Sequence, residues 1–450
     1  MRTFTTLTTI VFTLSVFTVS ANTINCINLN HDVSRIESLA DNGQYRNYPK
    51  NAEQVTFSYQ SSQSYEEYLD FARRKVAAEN PKARLNCPIA TGVTNLQNKV
   101  PAELTVADLV TPFELNVPKS KRAVLLVHGL TDSPYHFHDL ATFFHNQGLT
   151  VRTLLLPGHS TAAEALVDIS FKEWQQATHY AIEKTLEDFD QVYLGGFSTG
   201  GALILDNLLS TTRDLAKVNG IILWAPASQA KSTVAWAAQY VDWLPFVDYT
   251  HKGADIDFAK YESFPLNAGA QVHELMTGLS DKVNRASTIP DVPVLTITTE
   301  HDSTIETNAT IKLLRRWHKA KNRTTQHRDA IFYFGSLASL STLPDSFRRI
   351  QPNCRDAEYC EDILNVAHTA VLNAPSNQHY GWQGHYRNCE AVFGSDHYKT
   401  CKTTNKPILG ETTSENMESH PHLQRLTFNP SFEQMTKVLT KFVQEVQQSL

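Results

Sequence analysis

From residue 122 onward, short and fully apolar runs alternate with stretches of helical spacing. Ala123-Val124-Leu125-Leu126-Val127 is one such run, and Thr150 to Leu156, Gln191 to Leu194, Gly220 to Ala225, Pro293 to Thr298 and Ala330 to Phe334 repeat the texture. Between them, Phe171 to Phe189 sets Trp174, Ala177, Ala181 and Leu186 at helical spacing, and a second apolar helix runs to Leu209. A strand that is apolar at every position is buried on both faces. Alternation of such strands with helices predicts an α/β fold with a mostly parallel central sheet and helices on both faces. Pro430 to Leu450 closes the chain as an amphipathic helix, with Phe432, Met435, Leu439, Phe442 and Val446 on one side.

Two stretches depart from this alternation. Residues 22–119 are polar and mixed, an N-terminal extension with one predicted helix from Ser64 to Ala78. Ser64 and Glu67 form the capping-box pattern at its start, and Pro81 ends it. Pro226 to Ile289 is rich in aromatic residues, including Trp236, Tyr240, Trp243, Phe246 and Tyr249, and reads as an insertion over one end of the sheet. The catalytic domain is then 120–450, with 226–289 inserted in it.

Met1 to Ala21 has a positive start at Arg2, an apolar stretch from Ile10 to Val19 and a small-residue site at Val19-Ser20-Ala21. That is the pattern of a signal peptide, too short in its apolar part to span a bilayer, so a secreted or periplasmic protein without an integral membrane segment is expected. Export changes the meaning of the six cysteines, which become candidates for disulfides. Proximity along the chain favours Cys354 with Cys360 and Cys389 with Cys401, leaving Cys26 with Cys87 to fasten the extension. The net charge of −6 over 450 residues gives no electrostatic reason to expect nucleic acid as a partner. The 22 Phe, 16 Tyr and 6 Trp exclude a disordered chain.

The chemistry gathers around Gly196-Phe197-Ser198-Thr199-Gly200, a G-x-S-x-G turn with an apolar strand before it and a helix after it. Such a turn lifts the Ser198 hydroxyl to the carboxyl edge of the sheet, and the helix behind it aims N–H groups and positive dipole at developing negative charge. A serine needs a base and an orienting acid, which follow it in that fold class in the order serine, acid, histidine. Asp302, just past the strand Pro293 to Thr298, is the candidate acid, with Glu300 as the runner-up. His368, delivered to a loop by Ile363-Leu364-Asn365-Val366-Ala367, is the candidate base, with His422 as the alternative. The oxyanion hole requires two N–H donors, assigned to Thr199 and to Leu130 in the loop after Val127. His128 is read as a structural histidine of that loop.

His128-Gly129-Leu130-Thr131-Asp132-Ser133, Leu156-Pro157-Gly158-His159-Ser160, the serine turn and Glu300-His301-Asp302 together resemble the α/β-hydrolase superfamily. Within it they are similar to the branch of monoacylglycerol lipases, lysophospholipases and related serine hydrolases. The resemblance implies Ser198 as nucleophile, Asp302 as acid, Leu130 and Thr199 as oxyanion donors, and 226–289 as a cap over the pocket. Relatives place the histidine closer behind the acid, in a window that here holds His327. An extra segment bearing Cys354 and Cys360 accounts for the delay to His368.

The reading is a serine hydrolase acting on carboxylic esters, a carboxylesterase or lipase-like enzyme, without metal or cofactor. The cap aromatics suggest an apolar face for a small-molecule ester or lipid. An aminopeptidase on the same scaffold needs carboxylates to hold an amine. Asp255, Asp257 and Glu262 are available, although solvated loop acids are their simpler account. A non-catalytic binding protein is the third reading. His136-Phe137-His138-Asp139 hints at metal but lacks the continuation of a metallo-hydrolase run, since Leu140 and Ala141 follow.

Overall fold

The computed structural model describes residues 24–211, 214–231, 248–355 and 357–447. The proposed signal peptide, and Trp236, Tyr240, Trp243 and Phe246 of the expected cap, lie outside them. The central sheet has eight strands, numbered here in chain order: β1 (Glu114–Leu115), β2 (Arg122–Val127), β3 (Thr150–Leu154), β4 (Gln191–Phe197), β5 (Val218–Trp224), β6 (Val294–Thr299), β7 (Ala330–Phe334) and β8 (Arg348–Ile350). Their spatial order is β1-β3-β2-β4-β5-β6-β7-β8. Every pairing is parallel except the edge pair β1 and β3.

The apolar runs become strands because both of their faces are covered. Ala123, Leu125 and Val127 of β2 pack into one core cluster, and Val124 and Leu126 into a second cluster on the other face. The first face carries α3 (Phe171–Asp188), α4 (Thr199–Ser210), α5 (Leu266–Arg285) and α6 (Thr307–His318). The second carries α2 (His138–Asn146) and α7 (Phe432–Gln447). This is the α/β-hydrolase arrangement that the sequence implied.

The N-terminal extension packs mainly on the first face, with Val93, Phe113 and Leu115 joining the second. Its helix α1 (Tyr65–Glu79) has the capping box, with Glu67 N–H donating to Ser64 Oγ at 3.2 Å and Ser64 N–H to Glu67 Oε2 at 2.6 Å. Tyr65 and Tyr68 are buried beside β3. Tyr65 Oη donates to the Thr153 carbonyl at 2.7 Å, and Leu155 N–H donates to Tyr68 Oη at 2.7 Å. The three disulfides are Cys26–Cys87, Cys354–Cys360 and Cys389–Cys401.

Within the segment expected as a cap, α5 packs on α3 and α4 in the body of the domain. Leu275, Met276, Leu279 and Val283 are buried there, as the crossover between β5 and β6 requires. The described residues ahead of α5 include a short hairpin, Tyr249–His251 with Phe264–Pro265. A second region with little regular structure fills residues 351–431, between β8 and α7.

Candidate active site

Ser198 stands between β4 and α4 with φ 48° and ψ −114°. A non-glycine residue in that conformation stores strain of about 1–3 kcal/mol, which the surroundings must hold. They do so through β5: Ser198 N–H donates to the Trp224 carbonyl and Ala227 N–H to the Ser198 carbonyl, each at 2.9 Å. The last glycine of the motif is sterically required. A Cβ on Gly200 would lie 2.0 Å from the Val127 carbonyl oxygen, so α4 can begin this close to the end of β2 only without a side chain there.

The loop after β2 is held by two buried histidines. His128 Nε2 accepts from Leu156 N–H at 3.1 Å while Nδ1 bonds the Gly129 carbonyl at 2.8 Å. His159 Nε2 accepts from Thr131 N–H at 3.1 Å. Burial holds both imidazoles below their ordinary pKa, His159 at about 4. Both therefore stay neutral and can accept from backbone N–H groups. The loop they hold brings Leu130 to the same cavity wall as Thr199 and Ser198.

Asp302 and His368 meet at this point. His368 Nε2 lies 3.1 Å from Ser198 Oγ and its Nδ1 2.6 Å from Asp302 Oδ2. The other oxygen of Asp302 accepts from the N–H groups of Thr304 and Ile305 at 2.8 and 2.7 Å. Exposure is 7% for Ser198, 5% for His368 and 1% for Asp302, so the chain of hydrogen bonds is shielded yet opens at the serine. The runner-up acid Glu300 turns elsewhere and accepts from Ser336 N–H at 2.8 Å and from the Ser339 hydroxyl. His327 precedes β7, at the opposite edge of a parallel sheet from Ser198, and bonds the Thr324 carbonyl. His422 is half-buried in the insert, next to the short ribbon of Leu409–Gly410 and Gln424–Arg425.

A cavity of about 550 Å³ opens at Ser198. Phe197, Leu130, Phe264, Leu266, Val272 and Met276 give it apolar walls, and Lys260, Glu262, Asn388, Glu390 and Arg425 a polar side. Sequence reasoning read Asp255, Asp257 and Glu262 as solvated. The structure corrects this: they are 0%, 0% and 6% exposed. Asp255 accepts from Glu262 N–H, Ser263 N–H and Ser263 Oγ. Asp257 is bonded by His379 at 2.9 Å and Tyr380 Oη at 2.7 Å, and Glu262 by Tyr386 Oη at 2.8 Å. Their partners lie more than a hundred residues away or in tight local turns, so no sequence window could signal the burial. The residues of the suspected metal run diverge, with His138 Nδ1 on Thr91 Oγ1 at 2.9 Å and Asp139 accepting from Ala374 N–H and Asn377 Nδ2.

Sequence reasoning also missed Glu411 and Arg425. Glu411 Oε2 accepts the backbone N–H of His368 at 2.9 Å. Burial alone would raise the pKa of Glu411. The Arg425 guanidinium, its hydrogen bonds and the N–H groups of His368 and Thr412 outweigh it and hold the carboxyl at about 2.

Such a sheet, with a strained serine turn at its carboxyl edge, defines a class, and the comparisons agree with it. The family model described as "Serine aminopeptidase, S33" matches residues 118–330. The fold is that of the α/β-hydrolases, and the chain is similar to serine hydrolases of the monoacylglycerol lipase branch. A thermostable monoacylglycerol lipase from Bacillus sp. is 25% identical over 162 residues, which are 36% of this chain and 64% of that relative. The match thus spans a little under two thirds of the relative's length. Among solved structures, the monoacylglycerol lipase of Paleococcus ferrophilus is 16% identical, covering 56% of this chain and 94% of its own, with a TM-score of 0.39. A soluble variant of the monoglyceride lipase of Saccharomyces cerevisiae is 15% identical, covering 52% and 78%, with a TM-score of 0.38.

Proposed function

We propose that the chain is a secreted or periplasmic serine hydrolase that cleaves carboxylic esters of apolar acyl groups through an acyl-enzyme on Ser198. The observation that carries this reading is the unbroken chain Ser198 Oγ, His368, Asp302 at the wall of a largely apolar cavity. His368 Nε2 takes the hydroxyl proton as Ser198 Oγ attacks the ester carbonyl, and Asp302 stabilises the imidazolium that results. The N–H groups of Leu130 and Thr199 hold the oxyanion. His368 then gives the proton to the leaving alcohol, and water releases the acyl group by the same steps in reverse roles. The three disulfides support an oxidising compartment. Among the described residues, no helix is long and apolar enough to cross a membrane.

The test is hydrolysis of p-nitrophenyl esters of graded chain length. Ser198→Ala should lower kcat by about 10⁴-fold or more; turnover near wild type would sink the reading. The aminopeptidase alternative keeps the name of the matched family in its favour. The carboxylates it would use are committed to internal partners, so acyl esters should be turned over in preference to aminoacyl amides.

A further inference from the structure

Glu411 is fully buried, behind Thr412 and Arg425, which reach the cavity wall. A carboxylate in that position is costly unless it is paired and fully hydrogen-bonded. Its Oε1 accepts from Arg425 Nε at 2.6 Å and from Thr412 N–H at 2.8 Å. Its Oε2 accepts from Arg425 Nη2 and from His368 N–H, both at 2.9 Å, with Ser303 N–H at 3.4 Å. Arg425 Nη2 also donates to Thr304 Oγ1 at 2.9 Å, and Thr304 N–H is one of the two donors on Asp302. One ion pair therefore joins the loop of the candidate base, the loop of the candidate acid and the ribbon of Leu409–Gly410 with Gln424–Arg425.

His368 sits on no strand and on only a single turn of 3₁₀-helix, in a segment reached after a long excursion from the sheet. The sheet reaches this segment only two residues away, where Thr299 Oγ1 at the end of β6 donates to the Val366 carbonyl at 2.8 Å and Val366 and Ala367 pack into the second core cluster. At His368 itself the backbone is held by Glu411, and bidentate arginine–carboxylate pairing has the strength and the fixed geometry to finish the placement. We propose that the Glu411–Arg425 pair is a positioning device for the catalytic imidazole, with Glu411 fixing the His368 backbone and Arg425 tying that point to the Asp302 loop. This rests on the serine-hydrolase reading above. Glu411 touches neither Ser198 nor the reacting atoms; it acts through His368.

The experiment compares Glu411→Ala, Glu411→Asp and Glu411→Gln with wild type, measuring kcat and KM on a p-nitrophenyl ester, the thermal midpoint, and the amount of Ser198 labelled at completion by a fluorophosphonate. Activity is expressed per labelled site, so unfolded protein drops out. Glu411→Ala should lower kcat per site by about 10²-fold, the loss typical of a small misplacement of a catalytic group, with KM little changed. Glu411→Asp keeps the charge but withdraws its oxygens from His368 N–H, and should be impaired even when fully folded. Glu411→Gln keeps one acceptor oxygen but sets an amide NH2 against the donors of Arg425 and Thr412 or of His368, so the ion pair is lost and kcat per site should fall below wild type as well. Wild-type kcat per labelled site in the variants that fold would overturn the proposal and leave the pair a purely structural bridge. If Glu411→Ala does not fold, Glu411→Asp decides alone. Failure of wild type to label at Ser198 would instead remove the underlying hydrolase reading.

Discussion

The two halves of the site are built by different physics. Ser198 and Asp302 stand at the ends of β4 and β6, and those strands are placed by apolar side chains packed on both faces of the sheet. His368 stands in residues 351–431, where regular elements are a few residues long. Val366, Ala367, Ala370, Val371 and Leu372 around it pack into the second core cluster, and a dense set of polar bonds is added to that packing. Glu411 and Arg425 hold its backbone. Further along the insert, Asn377 bonds Asp139, His379 and Tyr380 bond Asp257, and Tyr386 bonds Glu262. Apolar burial is non-directional and forgiving of residue identity, whereas a buried hydrogen-bond network is exacting and fails when one member is missing. The sheet half should therefore be sensitive to added volume, and the insert half to lost polar atoms.

The sharpest way to break this comparison is to remove the proposed base. His368→Ala should lower kcat/KM for ester hydrolysis by about 10⁴-fold or more, as removal of a triad member does. His422→Ala and His327→Ala should remain near wild type. His422→Ala abolishing turnover while His368→Ala spared it would transfer the base to a different part of the insert.

What was legible in the sequence follows the same division. An apolar strand and a glycine turn leave their marks in consecutive residues, so β2 to β7, Ser198 and Asp302 could be read from local pattern. The matched family model also covers 118–330 and stops before His368. His368 was singled out by chain order together with the apolar stretch Ile363 to Ala367 that precedes it, a weaker mark than a motif. Glu411 gave no signal. Its pairing with Arg425 spans 14 positions, and its bond to His368 spans 43. Asp255, Asp257 and Glu262 were misjudged for the same reason, since burial of an acid depends on partners that the chain brings back from afar. The extent of the cap was blurred by its aromatic content, which drew α5 into the insertion although its apolar stripe faces α3 and α4.

The disulfides sharpen the comparison further. Cys26–Cys87 closes 61 residues beside the sheet half, whereas Cys389–Cys401 and Cys354–Cys360 close 12 and 6 in the insert. Chain entropy alone gives losses of about 4, 3 and 2 kcal/mol on their removal. Paired serine substitutions followed by urea unfolding should reproduce that order. Catalysis should rank differently. Cys389 abuts Glu390 and Ala391 of the cavity wall, so its pair should lower kcat/KM of the folded enzyme more than Cys26–Cys87 does. A larger catalytic loss from Cys26–Cys87, measured on folded protein, would mean that the insert is not where the site is weakest.

Glu262 offers the most specific test, because it lies where insert and cavity meet. Burial first, then the neighbouring Glu390 charge, push its carboxyl up to about 8. In the unfolded chain a glutamate titrates near 4.3. Between those values the folded protein holds one proton more than the unfolded chain, so stability falls as pH rises through this window and levels off above about 8. The slope from one such group is at most about 1.4 kcal/mol per pH unit. Glu262→Gln removes the titration while keeping an oxygen for Tyr386 Oη. Its stability relative to wild type should therefore rise steadily from pH 5 to pH 8 in urea titrations. A difference that stayed flat over that range would mean that Glu262 is ionised in the folded protein. The polar side of the cavity would then carry a full negative charge at neutral pH, and an ester with a cationic alcohol would become the better substrate to try.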